Sequence, residues 1–267
     1  MVAAGERAEV QTVEAVIFDW GGTLTPWHTV DMSSQWRVFA REVHGVPVDS
    51  DEVSKEDLAA AEDLAARILA AEDRAWARGR DSHESASIDA ILADAGVDPA
   101  HDRHHLALAA YQGFWEPHTF TDPQVRPLWE ALRDRGIRVG VLSNTIWSRD
   151  YHRGIFERDG VLDLIDGDVY SSEIHVVKPH AEAFEAACAA VDVAPERAVY
   201  VGDRLYEDVH GPQQVGMRAI WVPHSEIPVS QQVAVDVTPD GQVNELGDVL
   251  DIVAEWCALA EPSPGRR

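Results

Sequence analysis

Four apolar stretches of this 267-residue chain run straight into residues that can do chemistry. Ala15 to Phe18 leads into Asp19 and the pair Gly21-Gly22. Val141-Leu142 leads into Ser143-Asn144-Thr145, and Val176-Val177 into Lys178-Pro179. Tyr200-Val201 leads into Gly202-Asp203, with Asp208 shortly after. Such apolar runs read as strands buried on both faces. In open parallel sheets ligands bind at the carboxyl ends of the strands, and a glycine pair there lets backbone approach a ligand closely. Acids, an ammonium and hydroxyls gathered at one such edge could hold an anionic substrate through a divalent cation, because a bound ion dominates its local field. Each stretch also has a plain structural reading. Asp19 could cap a turn bent by the two glycines, and Ser143 could cap the next helix. Lys178 could be a surface charge before a proline, and Asp203 with Asp208 a cap and a first-turn acid.

The elements that must position these residues follow from the pattern between them. Beyond Val125 the texture alternates: helix 127–134 stopped by Gly136, strand 137–142, helix 148–157, strand 169–170, helix 181–191, strand 198–201, helix 207–215 and strand 219–222. A last short strand is expected at 234–237 and a closing helix at 246–259. Alternation of this kind implies a parallel sheet with helices on both faces. From Asp31 to about Phe120 only helical patterns occur. Acids and an N-cap within 48–52 precede a long segment in which Leu58, Ala61, Ala65, Ile68 and Trp76 recur at helical spacing, and further helices fit 87–95 and 102–115.

Composition narrows the partners. Against 47 Asp and Glu stand 22 Lys and Arg, a formal charge of -25, which opposes broad binding to nucleic acid or to an anionic membrane. Only two lysines occur, Lys55 and Lys178, so the placement of Lys178 at a strand end is informative. Cys188 and Cys257 are the only cysteines and fit a reduced compartment. With no apolar stretch of about 18 residues and no basic-then-apolar leader, a cytoplasmic protein is expected. Residues 1–12 read as loose and the tail 261–267 as disordered.

In order and strand context the segments FDWGGTL (18–24), VLSNT (141–145), HVVKP (175–179) and VYVGDRLYEDVHG (199–211) resemble the four motifs of the haloacid dehalogenase-like hydrolase superfamily. The resemblance covers most of residues 15–222. It implies an α/β fold: a doubly wound, Rossmann-like parallel sheet over residues 1–27 and 119–260. Asp19 and Ser143 lie 124 positions apart, whereas a strand-helix-strand unit needs about 30 residues. The surplus, residues 28–118, is then an inserted all-helical cap that closes over the sheet edge and selects the substrate. By the same resemblance Asp19 is the nucleophile that forms an aspartyl-phosphate with a small phosphorylated metabolite. Mg2+ is expected on Asp19, the Gly21 carbonyl and Asp203, with Asp208 binding through water or orienting Lys178. Lys178, Ser143 and Asn144 are expected at the phosphoryl group, and Thr23 in the loop that carries Asp19.

At one position the chain departs from the pattern. The family's phosphatases carry a second Asp two residues after the nucleophile, as general acid and base, and here that residue is Gly21. Four readings follow. One is a phosphohydrolase in which His28, a water or a good leaving group makes up for the missing acid. A second resembles phosphonoacetaldehyde hydrolase, a carbon-phosphorus bond hydrolase, with Lys55 as the Schiff-base amine, although Lys55 lies in the charge-rich stretch SDEVSKED. A third is a haloacid dehalogenase, a class that needs no metal and lacks the acidic pair retained here as Asp203 and Asp208. The fourth is a non-catalytic or very slow member that binds a phosphorylated ligand. In the cap, Trp27, Trp36, Trp76 and Trp115 are candidates to line a substrate pocket or to fill the core.

Overall fold

The computed structural model of the protein describes residues 12–26, 30–47, 54–223 and 232–260. Trp27, His28 and the tail 261–267 fall outside the described residues. The chain order is β1 (Ala15–Phe18), α1 (Met32–Val43), α2 (Lys55–Ser82), α3 (Ile88–Asp94), α4 (His104–Trp115), α5 (Val125–Arg133), β2 (Arg138–Ser143), α6 (Arg149–Arg158), β3 (Gly167–Tyr170), α7 (Ala181–Ala190), β4 (Ala198–Gly202), α8 (Gly211–Gln214), β5 (Arg218–Trp221), β6 (Gly241–Gln242) and α9 (Val249–Ala260). Local chemistry sets several boundaries. The side chains of Ser54, Ser87 and Ser148 cap α2, α3 and α6, and Gly136, with φ 74°, follows the end of α5 as its position predicts.

All strand pairings are parallel, in the order β3-β2-β1-β4-β5-β6. The chain moves outward on one side through β2 and β3, then returns to the far side of β1 with β4. The sheet is therefore doubly wound, and its direction reverses between β1 and β4, where ligand crevices form in such folds. Alternation divides the core. Val16, Phe18, Val139, Val141, Val199 and Val201 join one apolar cluster, while Ala15, Ile17, Leu142, Ala198 and Tyr200 join a second that includes Phe184 and Ala187 of α7.

Helices α1 to α4 form the expected insertion between β1 and the rest of the sheet. α1 packs on α2 and α4, and their apolar side chains merge with the first cluster into one continuous core. Backbone bonds add to the join: Ile88 N to Ile146 O at 2.8 Å, Val177 N to His83 O at 3.0 Å and Ser85 N to His175 O at 3.2 Å. Where the insertion returns to the sheet, Thr25 donates its hydroxyl to Phe120 O and Arg158 donates to both oxygens of Thr119.

Two expected strands are corrected. Val176-Val177 is not a strand end; it belongs to the connection between the 3-10 turn Ser171–Glu173 and α7, where Val176 bridges Glu84 and Val177 bonds to His83. Residues 234–237 are irregular, and the last strand is Gly241–Gln242. In both places two or three apolar residues mark burial without marking a ladder. The helix expected at 207–215 is a π-helical turn, Leu205–His210, running into α8. Cys188 and Cys257 are free thiols, and no helix among the described residues is long and apolar enough to cross a membrane.

A formal charge of -25 repels itself in the compact state, and added salt screens that repulsion. Raising NaCl from about 0.05 M to about 1 M is expected to stabilise the fold by about 1 kcal/mol or more, a rise of roughly 2–4 °C in the thermal midpoint. A midpoint that falls with salt would show that attractive ion pairs outweigh the net repulsion.

Candidate active site

The reversal in the sheet places Asp19 and Asp203 at the carboxyl ends of adjacent strands, β1 and β4. The Asp19 N–H extends that ladder to Val201 O at 2.9 Å, so alternation carries the Asp19 side chain to the side of Ile17, the side covered by α7. Lys178 comes from the segment just before α7 and reaches the same spot. Asp19, Ser143, Lys178, Asp203 and Asp208 are all buried.

At the centre is the Lys178 ammonium, 4 % exposed. It donates to Asp19 Oδ1 at 2.6 Å, to Asp208 Oδ1 at 2.7 Å and to the Tyr200 hydroxyl at 2.8 Å. All three of its N–H donors therefore have acceptors. Burial alone would depress the Lys178 pKa, but the two carboxylates outweigh it and hold the group well above the ordinary value. For Asp19 the balance differs. Burial pushes its carboxyl up, Lys178 pulls it down, Asp208 pushes it up again, and the net result is about 6. At neutral pH Asp19 is an ionised, poorly solvated carboxylate, which favours its use as a nucleophile or metal ligand.

Asn144 fixes the lysine through its backbone. Its side-chain oxygen accepts from Lys178 N at 2.8 Å and its amide donates to Lys178 O at 3.1 Å. Asp208 accepts from Lys178 on one oxygen and from Arg204 N, at 2.9 Å, on the other. Two glycines allow the close approaches: a Cβ on Gly202 would overlap the Asp208 side chain, and one on Gly22, at φ 89°, would overlap the Asp203 carboxylate. Carboxylate oxygens of Asp19, Asp203 and Asp208 come within 4.8 Å of one another. Three hard oxygen donors against one ammonium leave an excess of negative charge, a donor set suited to Mg2+. Both Asp208 oxygens are taken by protein donors, whereas Asp19 is held by Lys178 on Oδ1.

The Thr23 hydroxyl is enclosed without a hydrogen-bond partner among the described residues, so Thr23 shapes the loop by packing and by its N–H to Trp20 O. Lys55 is exposed in the first turn of α2 and takes no part in the cluster. His28 is outside the described residues. Gly21 bridges Thr25, and a Cβ placed on it would meet nothing within 4 Å among the described residues. The residue that sequence reasoning passed over is Tyr200. Its phenol interrupts the apolar run of β4, and a polar tip in a strand buried on both faces was the signal available.

The tryptophans of the insertion pack and hydrogen-bond. Trp36 is fully buried, stacks on Tyr111 at 4.7 Å and donates to Glu72 Oε2 at 2.6 Å. Trp115 donates to Gln35 Oε1 at 2.7 Å, and Gln35 donates in turn to Glu72 at 3.0 Å. From the sheet side Trp147 donates to the Tyr111 hydroxyl at 2.9 Å and packs edge-on against Trp20, the residue after Asp19.

A family model described as haloacid dehalogenase-like hydrolase matches residues 13–216. The chain is 29% identical over 174 residues to glyceraldehyde 3-phosphate phosphatase of Methanopyrus kandleri, covering 65% of this chain and 74% of that protein. With the glyceraldehyde 3-phosphate phosphatase of Pyrococcus furiosus it shares 45% identity over 132 residues, but that match spans only 49% of this chain and 53% of the relative. Among solved structures, the 2-haloacid dehalogenase of Pseudomonas syringae superposes with a TM-score of 0.60 at 22% identity, covering 92% of this chain and 100% of that one, a likeness of fold alone.

Replacing Lys178 by an apolar residue leaves Asp19 and Asp208 buried without their cation. Lys178→Met is expected to lower the unfolding free energy by about 3–5 kcal/mol at pH 8. Asp19 already has a folded-state pKa of about 6, above its ordinary 3.8, and the variant raises it further. An acid with a raised folded-state pKa binds protons on folding, so the deficit relative to wild type is largest above the variant's own, higher pKa and shrinks as pH falls through it toward about 6. Denaturant titrations at pH 8 and pH 5 measure both parts.

Proposed function

Because the chain belongs to the haloacid dehalogenase-like hydrolase family, we propose that it is a magnesium-dependent phosphohydrolase of a small phosphorylated metabolite, working through an aspartyl-phosphate on Asp19 beneath a cap formed by residues 28–118. The observation that carries this reading is the buried cluster in which Lys178 holds Asp19 Oδ1 while Asp203 stands beside it. Retention of the acids speaks against metal-free dehalogenation, since two further carboxylates without a cation would oppose the charge of Asp19. The position of Lys55, exposed at the start of α2 and outside the buried cluster, speaks against a Schiff-base route. The matched phosphatases support a phosphorylated substrate.

With Oδ1 engaged by Lys178, Oδ2 of Asp19 is the oxygen that attacks phosphorus. The new O–P bond forms as the bond to the leaving oxygen breaks, and the departing oxygen takes a proton from solvent. Water then attacks the aspartyl-phosphate at phosphorus, gives up a proton, and releases phosphate and free Asp19. Ser143, at the end of β2, supplies a hydroxyl donor to the phosphoryl oxygens. Mg2+ held by Asp19, Asp203 and the Gly21 carbonyl would neutralise phosphate charge so that the carboxylate can approach. No side chain at Gly21 hands a proton to the leaving group, so leaving groups that depart as weak bases are favoured. Among the described residues nothing lies within 4 Å of a Cβ at Gly21, and its φ is not positive, so the position can take a carboxylate. General acid help is typically worth about 10²- to 10⁴-fold.

A panel of acetyl phosphate, para-nitrophenyl phosphate and glycerol phosphate, with and without magnesium, tests the reading. Wild type is expected to release phosphate only with the metal, fastest from acetyl phosphate, and Asp19→Asn to lose about 10³-fold or more. Gly21→Asp is expected to gain about 10²-fold on glycerol phosphate and less on the activated esters. No metal-dependent release from any of the three, at high enzyme concentration, would sink the proposal.

A further inference from the structure

Tyr200 lies at a crossing of four parts of the site. Its hydroxyl accepts from Lys178 Nζ at 2.8 Å and donates to Leu142 O at 2.9 Å, so its own donor and the acceptor that Lys178 needs are used together. The strand registers explain the reach. Tyr200 of β4 pairs with Ile17 of β1, and Ile17 pairs in turn with Gly140 of β2, so the phenol spans from β4 across β1 to the carbonyl just before Ser143. Gly140 keeps that face low, since a Cβ there would press on Ile17. Phe184 of α7 closes the far side, edge-on to the phenol ring at 5.2 Å. Burial holds the Tyr200 hydroxyl protonated, well above its ordinary pKa.

From this geometry we infer that Tyr200 is a positioning residue. It occupies the third N–H of Lys178 and thereby fixes the ammonium, and through it Asp19 Oδ1, in the orientation that points Asp19 Oδ2 away from the lysine. An ammonium with only its two carboxylate partners can swing about its long side chain between them, because nothing sets its rotation. The phenol supplies the third fixed point, and its bond to Leu142 O ties that point to the strand that carries Ser143. Tyr200 does not touch the reacting atoms; it acts through Lys178. The kinetic consequence rests on the phosphohydrolase reading, whereas the geometric one does not.

Tyr200→Phe removes one oxygen and keeps the ring that packs against Phe184. Two measurements test it. The first observes the lysine ammonium groups by heteronuclear NMR on protein labelled at lysine Nζ; with two lysines in the chain and Lys55 exposed, Lys178 gives the protected signal. Hydrogen exchange at Lys178 is expected to speed up about 10-fold or more in the variant, in proportion to the lost bond. The second follows para-nitrophenyl phosphate turnover. kcat is expected to fall about 10-fold while KM stays within about two-fold, the split that marks lost orientation rather than lost binding. Unchanged Lys178 exchange overturns the tether whatever the activity. A faster exchange with unaltered kcat overturns the positioning role, and absence of wild-type turnover condemns the phosphohydrolase reading while the exchange result still decides the tether.

Discussion

A buried ammonium between two buried carboxylates is the interaction on which the site depends. Each of these charges alone would be expensive at this depth, and their mutual attraction offsets the loss of water only when geometry is good and every donor is used. Lys178 meets both conditions, with three acceptors within 2.8 Å. The arrangement needs four segments in register: the end of β1, the middle of β4, the turn after β4, and the connection before α7. Their convergence is a demand on the whole sheet, because a one-residue slip in β4 would turn Tyr200 to the opposite face.

The same interaction sets the chemistry. Lys178 lowers the charge of the three-carboxylate cluster without cancelling it, which leaves a donor set that fits a divalent cation. It also divides the labour of the acids. Asp208, bonded on both oxygens, holds the lysine; Asp19 is bonded to it on one; Asp203 stands beside Asp19 at the end of the neighbouring strand. On a protein of charge -25 the proposed anionic substrate would need such a place, where a bound cation could reverse the sign locally.

Much of this was legible in the chain. The long apolar runs of β1, β2 and β4 and the serines before α3 and α6 marked their elements because burial and capping are local demands. Asp19, Lys178 and Asp203, which the fold brings together, could be singled out because each follows an apolar run, although Val176-Val177 turned out to be buried connection rather than strand. A pair of apolar residues carries no period, so 176–177 and 234–237 could not be told from strands by pattern. Tyr200 was illegible in its role for a different reason, since it reads as a strand residue until the fold sets Lys178 beside it. Asn144, expected at the phosphoryl group, is seen to hold the backbone of Lys178. Thr23, expected in the loop that carries Asp19, is enclosed there by packing.

Gly21 gains its meaning from its neighbours in the loop. Trp20 before it is almost fully buried against Trp147 and His152, and Gly22 after it is pressed against Asp203. Both flanking positions are fixed by contact, while among the described residues nothing lies within 4 Å of where a Cβ on Gly21 would stand. Nor does backbone demand glycine there, since Gly21 is not among the residues of positive φ. Trp36 and Trp115 are committed elsewhere, to hydrogen bonds with Glu72 and Gln35. A side chain at Gly21 therefore does not meet the clash that holds Gly22 and Gly202 to glycine, where a Cβ would overlap Asp203 and Asp208.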